Sequence, residues 1–205
     1  QQLKRVEAAC RKEDREVSKS RPSRRHPAHF GRRRKQSLRV WFGFDTSGSM
    51  ISSQLSLVEA ELYGLLQRGA ELHIFQVDTE LKKRHEFKRH HRLEHFYGRG
   101  GTEFSPFLLA IRRAPRHERP ALAIFFTDGY GGIESYVETI KSETGGSLYE
   151  EFCARRPTCT PEGVQLLWLL AEHRATPEDF REVVPFGHIA ILPGVSEEED
   201  AKQEE

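Results

Sequence analysis

Five short apolar runs punctuate an otherwise polar chain: LRVWFGF (38–44), ELHIFQV (71–77), ALAIFFTDG (121–129), VQLLWLLA (164–171) and PFGHIAIL (185–192). The first and third are nearly unbroken and rich in β-branched and aromatic residues, the pattern of strands buried on both faces. Between the first two runs, residues 52–69 place Leu55, Val58, Leu62 and Leu65/Leu66 at spacings of three and four, and Gly69 follows. That spacing predicts an amphipathic helix with a glycine stop. A second helix is expected over 107–113, after the Thr-Glu-Phe-Ser-Pro segment. Strands alternating with helices predict an α/β protein of the Rossmann-like, doubly wound kind, with a mainly parallel sheet and helices on both faces.

The rest of the chain divides by charge. Residues 1–39 carry 14 Lys/Arg against 4 Asp/Glu, and SEEEDAKQEE at the other end is acidic. Residues 1–37 are therefore expected to be a basic helical and linker segment, the end of an upstream region, and 195–205 an acidic disordered tail. No aromatic residues interleave with the basic positions as base stacking would require, so nucleic acid is an unlikely partner. Cys10, Cys153 and Cys159 are an odd, sparse set without CxxC spacing, read as reduced thiols, with a small disulfide within CARRPTC (153–159) as the alternative. No apolar run approaches the roughly 20 residues that cross a bilayer, and no leader pattern is present. These features suggest a cytoplasmic domain without a membrane partner.

Two of the predicted strands, LRVWFGFD and ALAIFFTD, end in an aspartate. In an open parallel sheet, ligands bind beyond the carboxyl ends of the strands. If the two strands are neighbours, Asp45 and Asp128 meet there, and a hard divalent cation would relieve their repulsion. Ser47 and Ser49 lie two residues apart around Gly48, and Thr102 follows two glycines, so three hydroxyls could approach the same point. Weak, all-oxygen ligands suit Mg²⁺, with Mn²⁺ or Ca²⁺ as alternatives, and disfavour zinc.

DTSGSM (45–50), GGT (100–102) and TDG (127–129) resemble the three loops of von Willebrand factor A (VWA) domains that carry a metal-ion-dependent adhesion site. The resemblance implies that Asp45, Ser47, Ser49, Thr102 and Asp128 hold the ion, and that the fold is the VWA fold over 38–194. RPSRR, GRGGTEF, TDGYG, LLWLL and VPFGHIAIL further resemble the VWA-like C-terminal half of bacterial proteins with an N-terminal metallopeptidase-like domain, associated with MoxR-type AAA+ ATPases. This implies a non-enzymatic, metal-dependent adaptor that captures an acidic side chain of a protein partner, such as a MoxR-type ATPase, in a bacterial stress or defence system. The alternative is a non-catalytic module of a metallopeptidase-type hydrolase whose catalytic domain lies outside this chain. A stretch over about 132–163 departs from that pattern and is expected to form two short helices.

Other chemistries fit less well. GxSxG and GxxxxGK[ST] are both absent, which argues against a serine nucleophile and a phosphate cradle. His91, Glu94 and His95 match HxxEH, but in a highly charged segment without an amphipathic helix to hold it. Asp78 reads as a turn residue, Trp41 and Trp168 as core, and Tyr130 as structural.

Overall fold

A computed structural model describes residues 12–22, 30–45, 52–88, 103–144, 146–171 and 176–192. The elements in chain order are β1 (Lys12–Pro22), β2 (Phe30–Asp45), α1 (Ser52–Gln67), β3 (Ala70–Val77), β4 (Leu81–Phe87) and α2 (Ser105–Arg113). There follow β5 (Leu122–Thr127), α3 (Glu134–Thr144), α4 (Gly146–Arg155), β6 (Gln165–Ala171), α5 (Pro177–Val183) and β7 (His188–Leu192).

The sheet order is β4-β3-β2-β5-β6-β7, with β1 paired to β2 off this path. Strands β3, β2, β5, β6 and β7 are parallel neighbours, whereas β4 is antiparallel to β3 and β1 antiparallel to β2. The doubly wound α/β expectation is therefore met. β4, LKKRHEF, sits at one border of the sheet, and a charged sequence is suited to an edge strand.

β2 is central, and its side chains alternate between two cores. Trp41 joins Phe75, Phe107, Phe125 and Trp168 on the face covered by α2, α3, α4 and α5. Leu38, Val40, Phe42 and Phe44 join Val58, Leu62 and Leu65 of α1 on the other. This second face keeps an apolar groove of about 600 Å³ beside α1, lined among others by Phe42, Leu62, Leu167 and Ile191. Among the described residues Glu61 is the one charged residue lining it, and these residues offer no convergent polar set for small-molecule chemistry.

Two regions depart from the sequence reading. Lys12–Pro22 forms a strand rather than a helix, and the linker expected after it contains residues 30–37 of the same long strand that becomes the sheet centre. Polar residues with helical propensity are extended here because the backbone of 31–37 offers them a ladder from Lys12↔Ser37 onward. Local propensity gives way to tertiary pairing. The stretch over 132–163 does hold two helices, α3 and α4. Tyr136 and Ile140 of α3 are buried in the first core. Arg112 of α2 also grips this segment, pairing with Glu143 and, at 2.7 Å, with Glu162. The Tyr136 hydroxyl donates to the same Glu162 at 2.9 Å.

Candidate metal centre

The parallel register decides which side chains meet at the carboxyl edge. Phe44 pairs with Phe126 across β2 and β5, which sets Asp45 level with Thr127 and one residue short of Asp128. On the other flank, Asp45 pairs with Val77 of β3, one residue before Asp78. Three adjacent parallel strands therefore end in aspartates at one edge. All three are buried: Asp45 is 0% exposed, Asp128 5% and Asp78 6%.

Short polar contacts order this edge. The Thr127 hydroxyl donates to Asp45 Oδ2 at 3.3 Å and accepts the Gly129 N–H at 3.1 Å. Asp128 Oδ1 accepts the N–H of Tyr130 at 3.0 Å. Gly129 has φ 91°, a left-handed turn that suits glycine, which lets the loop fold back over the strand end. Tyr130 itself is 60% exposed, so the structural role expected of it is not a packing role.

The loop that carries Thr102 is fastened to the same edge by its next residues. Glu103 N–H donates to the Asp78 carbonyl at 3.4 Å, and Phe104 N–H donates to the Gly132 carbonyl at 2.8 Å. Glu103 Oε1 accepts the Ser135 N–H at 3.3 Å. Partial burial would raise the Glu103 pKa, but hydrogen bonds from Ser135 and Ser105 outweigh it and hold the carboxyl below its ordinary value. Buried Phe104 packs against Phe125 and Trp168, anchoring the loop's far side in the core.

Of the five residues expected to hold the ion, the structure brings Asp45 and Asp128 to adjacent strand ends. Ser47, Ser49 and Thr102 lie outside the described residues, as do His91, Glu94 and His95. The donors in view fit a hard cation. They are carboxylate and hydroxyl oxygens, without thiolate or imidazole. One more observation points the same way: Asp78 Oδ1 is buried and has no hydrogen-bond partner. Among the described residues, no three acidic, imidazole or thiol groups converge closely enough to ligate one ion by themselves. A complete coordination shell therefore needs the hydroxyl loops or water.

Sequence reading missed Asp78, which looked like a turn residue because a lone Asp after a strand is the usual turn signal. Only the pairing of Asp45 with Val77 reveals that its strand lies beside the first aspartate. Trp41 and Trp168 are core residues as expected, 1% and 0% exposed. Cys153 is partly buried, Cys159 is buried, and both are free thiols.

Comparison with known proteins agrees with this architecture. Residues 40–140 match the family described as "VWA-like domain (DUF2201)". A crystal structure of the ArnB paralog VWA2 from Sulfolobus acidocaldarius superposes with a TM-score of 0.51 at 15% identity, covering 76% of this chain and 41% of that one. A von Willebrand factor type A protein from Catenulispora acidiphila aligns with a TM-score of 0.45 at 14% identity, over 80% of this chain and 40% of that one. The chain thus spans about two fifths of the length of these solved structures. No curated protein matches it. Among the described residues, no helix is long and apolar enough to cross a membrane. Residues 40–140 thus match a VWA-like family, and the chain's mostly parallel sheet with flanking helices is the Rossmann-like α/β fold of VWA domains.

Proposed function

We propose that this VWA-like domain is a metal-dependent protein-binding module. Asp45, Ser47, Ser49, Thr102 and Asp128 hold one divalent ion, Mg²⁺ in the first instance and otherwise Mn²⁺ or Ca²⁺. The observation that carries the reading is the burial of Asp45 and Asp128 at the ends of adjacent parallel strands. Two buried carboxylates in neighbouring positions favour a cation between them over an empty edge. Oxygen ligands this few leave positions for exchangeable water, and an acidic side chain of a partner protein can replace one of those waters. The partner's grip then depends on the metal and reverses with it. A MoxR-type AAA+ ATPase in the bacterial cytoplasm is the partner that the sequence resemblance supports. No catalytic role is assigned to the module.

Calorimetric titration of Mn²⁺ tests the ion site. The wild-type chain binds one ion, and Asp45→Ala and Asp128→Ala each abolish the heat. Equal binding by Asp45→Ala overturns the site. Co-purification of the ATPase with the chain, in Mg²⁺ and again in excess EDTA, tests the partner. Capture that survives EDTA refutes a metal-dependent grip.

A further inference from the structure

Asp78 has no place in the ion-holding set described above, yet the structure treats it as more than a turn. The residue is 6% exposed, and its buried Oδ1 finds no hydrogen-bond donor among the described residues. Its own N–H donates to the Glu80 carbonyl, and its carbonyl accepts Glu103 N–H. Thus the backbone is satisfied and only the side chain is left open. A buried carboxylate oxygen without a partner is unfavourable unless a donor or cation compensates it. Among the described residues no donor compensates it.

Position says what that group is. Asp78 directly follows Val77, the register partner of Asp45, so it stands on the strand next to the first metal-binding aspartate. Through its carbonyl it also touches Glu103, the neighbour of Thr102. It therefore adjoins the strand end of Asp45 and the backbone of Glu103. Among the described residues no three acidic groups converge on one point, so Asp78 does not close on the ion as a third direct carboxylate beside Asp45 and Asp128. A water in the cation's hydration shell answers both facts. It donates one hydrogen to Asp78 Oδ1, and the cation holds its oxygen, giving the water two polar partners.

Resting on the ion site proposed above, we propose that Asp78 is a third acidic member of that site, a positioning residue that fixes a water in the cation's hydration shell. It would raise the affinity of the edge for a divalent ion and orient one of the exchangeable positions.

The test uses the full chain, with Mn²⁺ as the probe. Wild type, Asp78→Asn, Asp78→Ala and Asp45→Ala are compared by calorimetry and by thermal unfolding in excess EDTA and in Mn²⁺. Asn keeps the shape of Asp and removes the charge. Both Asp78 variants should bind Mn²⁺ about 10- to 100-fold more weakly than wild type. In EDTA, Asp78→Asn should melt at or above the wild-type temperature, since an uncompensated buried charge has been removed. In Mn²⁺ its gain in Tm should be smaller than that of wild type. Mn²⁺ affinity within twofold of wild type overturns the proposal. So does an Asp78→Asn chain that is less stable than wild type in EDTA or fails to fold, because that marks Asp78 as purely structural. If wild type itself takes up no Mn²⁺, the ion site falls and this inference with it, an outcome separable from failure of the Asp78 step alone.

Discussion

Gly43 lies near the carboxyl end of β2, two residues before Asp45, and the structure leaves no room for a side chain there. A Cβ at this position would sit 2.5 Å from Phe125 Cδ2 and 2.8 Å from Cε2, with Phe107 at 3.0 Å. Phe125 cannot swing away, because its ring lies 5.3 Å from Phe104, 5.2 Å from Phe107 and 5.5 Å from Trp168, centroid to centroid. Forcing one methyl into such a core costs about 1–3 kcal/mol. Alanine recovers about 0.4–1 kcal/mol by restricting the unfolded chain. Gly43→Ala should therefore destabilise by about 1–2 kcal/mol. At about 2–4 °C per kcal/mol for a chain of this size, Tm falls by roughly 2–8 °C. Urea unfolding followed by tryptophan fluorescence measures it, since Trp41 and Trp168 both report on this core. Pairing Gly43→Ala with Phe125→Leu, which makes room for the methyl, should cost less than the sum of the two single changes. A Gly43→Ala chain as stable as wild type, or strict additivity in the double variant, would falsify the close approach of β2 and β5 at this level.

Other expectations follow from single contacts. Glu162→Ala removes one of the two carboxylates paired with Arg112 and leaves the buried Tyr136 hydroxyl without its acceptor, so it should cost about 2 kcal/mol in urea unfolding. Thr176 Oγ1 accepts Asp179 N–H at the start of α5, and Thr176→Ala should cost about 1 kcal/mol by the same assay. Partial burial would raise the Glu71 pKa, but His73 and Arg39 outweigh it and hold the carboxyl below its ordinary value. A carboxyl lowered on folding contributes stability above its unfolded pKa and loses it as pH falls through the lower folded value. Because the side chain is 44% exposed, the gain is under about 1 kcal/mol at neutral pH. The Tm difference between wild type and Glu71→Gln should be present at pH 7 and vanish in acid; a difference independent of pH refutes the pairing.

How far the sequence could be read depended on the range of the interaction behind each feature. The two long apolar strands and the amphipathic α1 follow from side-chain periodicity and turn residues, which act within one element. The pairing of β1 with residues 31–37 did not, because polar residues with helical leanings became a strand only by finding a partner about twenty residues away. Asp45 and Asp128 announced themselves as polar ends of apolar runs, and the parallel register supplied their adjacency.

Asp78 marks the boundary most clearly. Its residue type is that of any turn, and nothing local distinguishes it. Sequence alone determined which residue types stand at the strand ends: carboxylates, hydroxyls and the glycines that let loops bend between them. Only the tertiary structure decided that β3 lies against β2, that Asp78 is buried there with an oxygen unmet, and that the Glu103 loop is tied to its backbone. The physical reason is that burial and hydrogen-bond satisfaction depend on strand order, and strand order is set by how both faces of the sheet are packed rather than by any local stretch of chain.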